Sequence, residues 1–95
     1  MEIQEAYKHK MAAQLHEWNA EISLLDAKVE NASVDMEIKR AQALHELRAK
    51  QHTASVKLQE LEKSSGAAWE QVKETADLIW EDLKSGIADA RAKFK

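Results

Sequence analysis

The chain has 95 residues, a formal net charge of −3, 33% charged residues and no cysteine or proline. Acidic and basic residues are interleaved, which argues against the clustered basic surface of a nucleic-acid-binding protein. The missing cysteines exclude a disulfide framework, a thiolate nucleophile and a Cys-based zinc site. Hydrophobic residues make up 44%, yet 16 of the 95 positions are Ala, so large apolar side chains are sparse. Ala, Glu, Lys, Leu and Gln dominate, and all lose little side-chain freedom in a helix. The composition reads as all-α. The length allows one small domain with little interior.

The chain opens Met1-Glu2-Ile3-Gln4-Glu5, without the apolar stretch of a signal peptide. No apolar run approaches the ~18–20 residues of a membrane span. The expected location is the cytoplasm.

With no Pro anywhere and no Gly before Gly66, nothing in residues 1–63 forces a helix to stop. Met11, Leu15, Trp18, Ile22, Leu25, Val29, Ala32 and Met36 recur at alternating steps of four and three. Leu44, Leu47, Gln51, Ala54, Leu58 and Leu61 form a second stripe, joined to the first by an inserted four residues. Such a heptad pattern favours a coiled-coil seam. The seam weakens between Asp26 and Ala43. There Glu30-Asn31-Ala32-Ser33 is the one credible turn before Ser64, with Asn31 as a C′ residue and Ser33 as an N-cap. Asn and Ser cost only tenths of a kcal/mol inside a helix. The expectation is therefore an unbroken helix from about residue 2 to 63.

Ser64-Ser65-Gly66 is read as a hinge, with Lys63 closing one helix and Ser65 capping the next. Residues 67–95 form a different helix. Trp69-Glu70-Gln71-Val72-Lys73 returns eleven residues later as Trp80-Glu81-Asp82-Leu83-Lys84. Eleven residues make almost three turns, so the two copies stack. Trp69, Val72, Ile79, Trp80, Leu83, Ile87 and Phe94 share one stripe, for packing against helix or lipid. Glu74, Asp77, Glu81, Lys84, Asp89 and Lys93 lie opposite. Gly86 is placed to kink or end the helix, at ~1 kcal/mol relative to Ala.

A helix of residues 2–63 spans ~90 Å, and the C-terminal helix of ~45 Å cannot cover its stripe alone. This predicts homo-oligomerisation through Met11, Leu15, Trp18, Ile22, Leu25, Val29, Met36, Leu44, Leu47, Leu58 and Leu61. The alternative is an antiparallel three-helix bundle with breaks near Asn31 and Ser65, which needs no second chain.

Tyr7-Lys8, Ala13-Gln14-Leu15, Glu17-Trp18, Ala20, Ile22, Leu25 and Ala27-Lys28 resemble the opening of a group of small bacterial coiled-coil-domain proteins of unknown function. Leu58-Gln59-Glu60-Leu61, Ser65-Gly66, Ala68-Trp69-Glu70 and Trp80-Glu81-Asp82-Leu83-Lys84 are similar to that group's ending. The resemblance implies a coiled coil, in proteins sometimes linked to stress responses, and carries no catalytic residues.

Chemistry is thinly signalled. His9 and His16 are seven apart, as are His45 and His52, and ~10.5 Å along one helix is too far for two to share an ion. A fold-back near Asn31 would set His9 level with His52 and His16 with His45, with Glu17 or Glu46 to complete a site. Set against this, all four histidines flank the seam in water. We expect no metal and no cofactor, though imidazoles allow a pH response of assembly. Carboxylates have cations in helical reach, as Glu46 has Lys50, which suits surface pairing. A rod offers no dry concave pocket for catalysis. The reading is a non-enzymatic, self-assembling structural or interaction protein, with an open or filamentous assembly conceivable. The alternatives are a peripheral lipid-binding helix, disfavoured by a polar face with as many acids as bases, and a pH- or metal-responsive assembly.

Overall fold

The computed structural model describes residues 3–27 and 33–94. Three helices account for nearly all of them: α1 (Ile3–Ala27), α2 (Val34–Lys63) and α3 (Ala67–Lys93). The described residues contain no strand. The fold is all-α, and the three helices pack as an up-down-up bundle. Lys8 of α1 reaches the carbonyl of Glu62 at the far end of α2, and Asp26 at the other end of α1 meets Arg48. Thus α1 and α2 are antiparallel. Lys50 pairs with Asp82, and a Cβ on Gly86 would meet Leu47, which makes α3 antiparallel to α2. The bundle is a rod of 52 × 20 × 17 Å.

This corrects the expected continuous helix of residues 2–63. The stripe doubles back on itself, and most of it is buried within the chain. The turn at Asn31 lies outside the described residues, and so does Val29. Ser33, however, has extended backbone (φ −67°, ψ 163°), and its hydroxyl accepts the Met36 N–H at 3.2 Å. It is an N-cap, with Asp35 and Glu37 in the first turn where the helix dipole favours acids. The physical reason for the break is tertiary. Folding back lets Met11, Leu15, Ile22 and Leu25 of α1 share a core with Leu44, Leu47, Ala54 and Leu61 of α2.

Met11, Leu15, Ile22, Leu25, Leu44, Leu47, Ala54 and Leu61 are all buried in a core shared with Trp69, Ala76, Trp80, Leu83, Ile87 and Ala90. Tyr7, Trp18, Leu58, Val72, Ile79 and Phe94 pack against it from its margin. The stripe read as an intermolecular seam is thus mostly this chain's own core. Met36 is the exception and is 40% exposed. Gln51, a polar residue within the stripe, is half-buried and donates to Asn19 Oδ1 at 2.6 Å. That bond joins the two side-chain amides across the α1–α2 seam.

The Ser64-Ser65-Gly66 hinge separates α2 from α3, and Lys63 lies in the last turn of α2. Ser64 closes that helix, its N–H donating to the Glu60 carbonyl. Ser65 is not the N-cap of α3. Gly66 takes that position with φ 62°, a left-handed conformation that costs glycine nothing and other residues about 1 kcal/mol or more. Gly86 does not end α3. It sits within a packed helix, where a Cβ would lie 3.1 Å from Leu47 Cδ2 and 3.3 Å from Lys50 Nζ. Its role is close approach of α2 and α3, a tertiary demand with no local signature.

The cap supplies a test of the fold-back by sign. Ser33→Ala removes the side-chain acceptor and is expected to cost ~1 kcal/mol in a urea melt. In an unbroken helix the same change would stabilise by a few tenths of a kcal/mol, because Ala is the better helix former.

Candidate interaction site

Among the described residues, one groove lies between α1 and α3 and another at the end where α2 begins. The α1–α3 groove has an aromatic floor. Trp80 is buried, and its indole N–H donates to the Met11 carbonyl at 3.3 Å. Trp18 leans on it with ring centres 6.5 Å apart and planes at 53°. Further toward the hinge, Tyr7 meets Trp69 edge to face at 5.6 Å. Such offset aromatic pairs add ~1 kcal/mol beyond their buried area. Lys8 lies 5.6 Å over Trp69, and Lys73 lies 5.1 Å over Tyr7. These contacts align α1 with α3 and leave a shallow cleft of about 400 Å³, rimmed by Lys10, Gln14, Glu17, Glu81 and Lys84.

Among the described residues, Tyr7 carries the strong electrostatic signature. Its hydroxyl donates to the Asp77 carboxylate. Partial burial, followed by the hydrogen bond and the negative charge of Asp77, raises its pKa far above the ordinary tyrosine value. The pair is 70 positions apart, and the sequence marked Asp77 only as part of a polar face. The arrangement ties α1 to α3. It does not activate the phenol, since a raised pKa keeps the proton on.

The second groove arises from helix register. Lys8–Glu62, Asn19–Gln51 and Asp26 between Arg40 and Arg48 fix α1 against α2. Ala27 therefore ends about level with Ala43, and roughly ten residues of α2, ~14 Å, run past α1. No residue from Ser33 to Ala43 is buried, and Leu44 is the first of α2 to enter the core. Val34, Met36 and Ile38 stand exposed there, with Leu24 of α1 close to the same end. Of the described helices, α3 alone accompanies this stretch. Lys93 and the half-buried Phe94 join Met36, Lys39, Gln42, Ala43 and Glu46 around a groove of about 530 Å³. It is the larger of the two and has an apolar floor with charged edges, the form of a docking groove.

The same register separates the histidines. His16 is about level with Ala54 and His9 with Leu61, so the expected pairs His9–His52 and His16–His45 do not form. All four rings are exposed on the outward faces of their helices. Among the described residues no group of three or more His, Asp or Glu is placed to hold a metal. Glu17 lies on the rim of the aromatic cleft and Glu46 on that of the terminal groove.

The stripe of α3 is used for packing. Trp69, Trp80, Leu83 and Ile87 are buried, and Val72, Ile79 and Phe94 lie against them. A lipid surface would have to displace α1 and α2 to reach it. Glu74, Asp77, Glu81, Lys84, Asp89 and Lys93 are exposed, but Asp77, Glu81 and Lys84 border the cleft with α1 and Lys93 borders the terminal groove. No described helix is long and apolar enough to cross a membrane.

No family model, curated protein or solved structure matches the chain.

Tyr7 is the chain's only tyrosine, so phenolate absorbance reads this group alone. A folded-state pKa above the unfolded one means that its stabilising contribution is complete below about pH 10 and is lost as the pH climbs beyond. Tyrosinate is expected to appear in wild type only well above pH 10, and in Asp77→Asn at lower pH. Tyr7→Phe is expected to remove part of the alkaline loss of stability. Ionisation at the ordinary pH in folded wild type would contradict the contact.

Proposed function

We propose that this is a non-enzymatic structural or interaction protein of the cytoplasm that associates with copies of itself. One observation carries the reading. The end of the bundle where α2 overhangs keeps Leu24, Val34 and Ile38 exposed, and Met36 stands 40% exposed in a groove floored by Ala43 and Phe94. A monomer with an interior this small gains by covering large side chains, and their clustering at one end marks an interaction surface. The heptad stripe no longer supports the proposal, because the bundle covers most of it. The support comes from surface that the bundle leaves open.

The chemistry of the surface fits an interaction role. The ion pairs of the described residues are peripheral, and such pairs each contribute less than about 1 kcal/mol. The aromatic cleft is shallow and its strongest polar contact, Tyr7–Asp77, is structural. The likeness in residue pattern to small bacterial coiled-coil-domain proteins belongs to the same proposal.

Absolute mass by light scattering across a concentration series tests it. We expect a mass that rises above the 10.8 kDa of one chain as concentration increases. A value fixed at one chain into the millimolar range would contradict self-association.

A further inference from the structure

We infer that the terminal groove is the seat of a second copy of this chain, docked by α2 against α2 in antiparallel fashion about a two-fold axis near Gln42 and Ala43. The inference rests on the self-association just proposed and names its surface, its symmetry and its limit.

Met36, Lys39, Ala43 and Glu46 follow one another at steps of three and four, so they share one face of α2. That face lies beside the end of α3, whose Lys93 and Phe94 form the other wall of the groove, and Lys39 and Glu46 on it are exposed. Its charges are self-complementary in one orientation only. Lys39 and Glu46 are seven residues apart, ~10.5 Å along the axis, with Gln42 and Ala43 midway. Turn a second α2 antiparallel about that midpoint, and Lys39 of each copy stands opposite Glu46 of the other. Both pairs form at once. A parallel copy would set Lys39 against Lys39 and Glu46 against Glu46.

Three observations favour this occupant. First, among the described residues neither Lys39, Glu46 nor Lys93 takes part in an ion pair within the chain, while neighbouring Arg48, Lys50 and Asp82 do. The groove therefore carries charge of both signs that the described bundle leaves unmatched. Second, the residues at the axis are Gln42 and Ala43. Ala allows close helix approach, and Gln offers a donor and an acceptor that two copies can exchange. Third, the apolar floor of Met36, Ala43 and Phe94 would be doubled across the axis. Each half would then gain cover for side chains that are too few to form a core alone.

The contact is isologous, and so it closes at two. Each bundle extends away from the axis in the opposite direction, giving a long dimer joined at its open ends. An open filament would need a second surface, and this interface does not propagate.

Mass measured at several concentrations on full-length wild type, Lys39→Glu, Glu46→Lys and the double exchange tests the geometry. Both side chains are exposed, and unchanged far-UV circular dichroism checks that the fold is kept. The expected result is a wild-type dimer, at least tenfold weaker dimerisation in each single variant, and recovery in the double variant, where the reciprocal pairs are restored with signs exchanged. Ala43→Cys, in a chain with no other cysteine, is expected to form a disulfide-linked dimer in air, and Ala13→Cys on the outer face of α1 is not. A wild type that associates while both single variants match it would overturn this surface and leave self-association standing. A wild type that remains one chain at every concentration would overturn both, and would give the groove to a different partner.

Discussion

Each helix here has one apolar stripe, and no helix is broad enough to hide its own. The structure depends on how α2 is covered. It is the longest element, it lies between the other two in sequence, and both neighbours pack antiparallel to it. Leu44, Leu47, Ala54 and Leu61 of α2 share one core with Met11, Leu15, Ile22 and Leu25 of α1 and Trp69, Trp80, Leu83 and Ile87 of α3. Each fully buried Leu or Ile contributes roughly 1.5–3 kcal/mol by removal from water. That gain exceeds the few tenths of a kcal/mol by which Ser differs from better helix formers. The fold-back between α1 and α2 is therefore a consequence of burial, and Ser33 fixes where α2 starts.

Register then turns architecture into surface. Polar contacts between α1 and α2, chiefly Asn19–Gln51 and Asp26–Arg48, hold α1 so that it stops short of the beginning of α2. The aromatic contacts hold α1 against α3 in turn, with Trp80 bonded to the Met11 carbonyl and Tyr7 lodged between Trp69 and Asp77. The overhang is what these contacts leave over. There the exposed Met36 shares a groove with Lys39, Glu46 and Lys93, and the functional proposal rests on that groove.

Much of this was legible in the sequence. The all-α class followed from composition, and the break at Ser64-Ser65-Gly66 from turn chemistry. The stripe residues Met11, Leu15, Ile22, Leu25, Leu44, Leu47 and Leu61 were recognisable as apolar contact positions by period alone. Period does not say whether the partner is the same chain or another, and that question decided the reading of residues 1–63. The turn near Asn31 was visible as an option, but its local energies are too small to choose. Met36 fitted the heptad and yet faces the terminal groove that α2 forms with the end of α3. Gly86 resembled a breaker when it is a contact, since the demand comes from Leu47 and Lys50 on another helix. Tyr7–Asp77 had no local signal at all. The pairing of histidines failed for a related reason: a fold-back centred on Asn31 sets one register, and packing chose another.

The central claim is that α1 folds back along α2 within one chain. The absence of native cysteine allows spin labels to be attached at two introduced thiols alone. Glu5→Cys together with Glu62→Cys places them on exposed sites at the same end of the bundle. Labelled chains diluted into an excess of unlabelled protein report only the distance within one molecule. Pulsed electron resonance is expected to give a distance below about 25 Å, as neighbouring helix axes lie ~8–10 Å apart and the labels add their own length. A distance of ~85 Å, the span of about 57 residues of straight helix, would contradict the bundle.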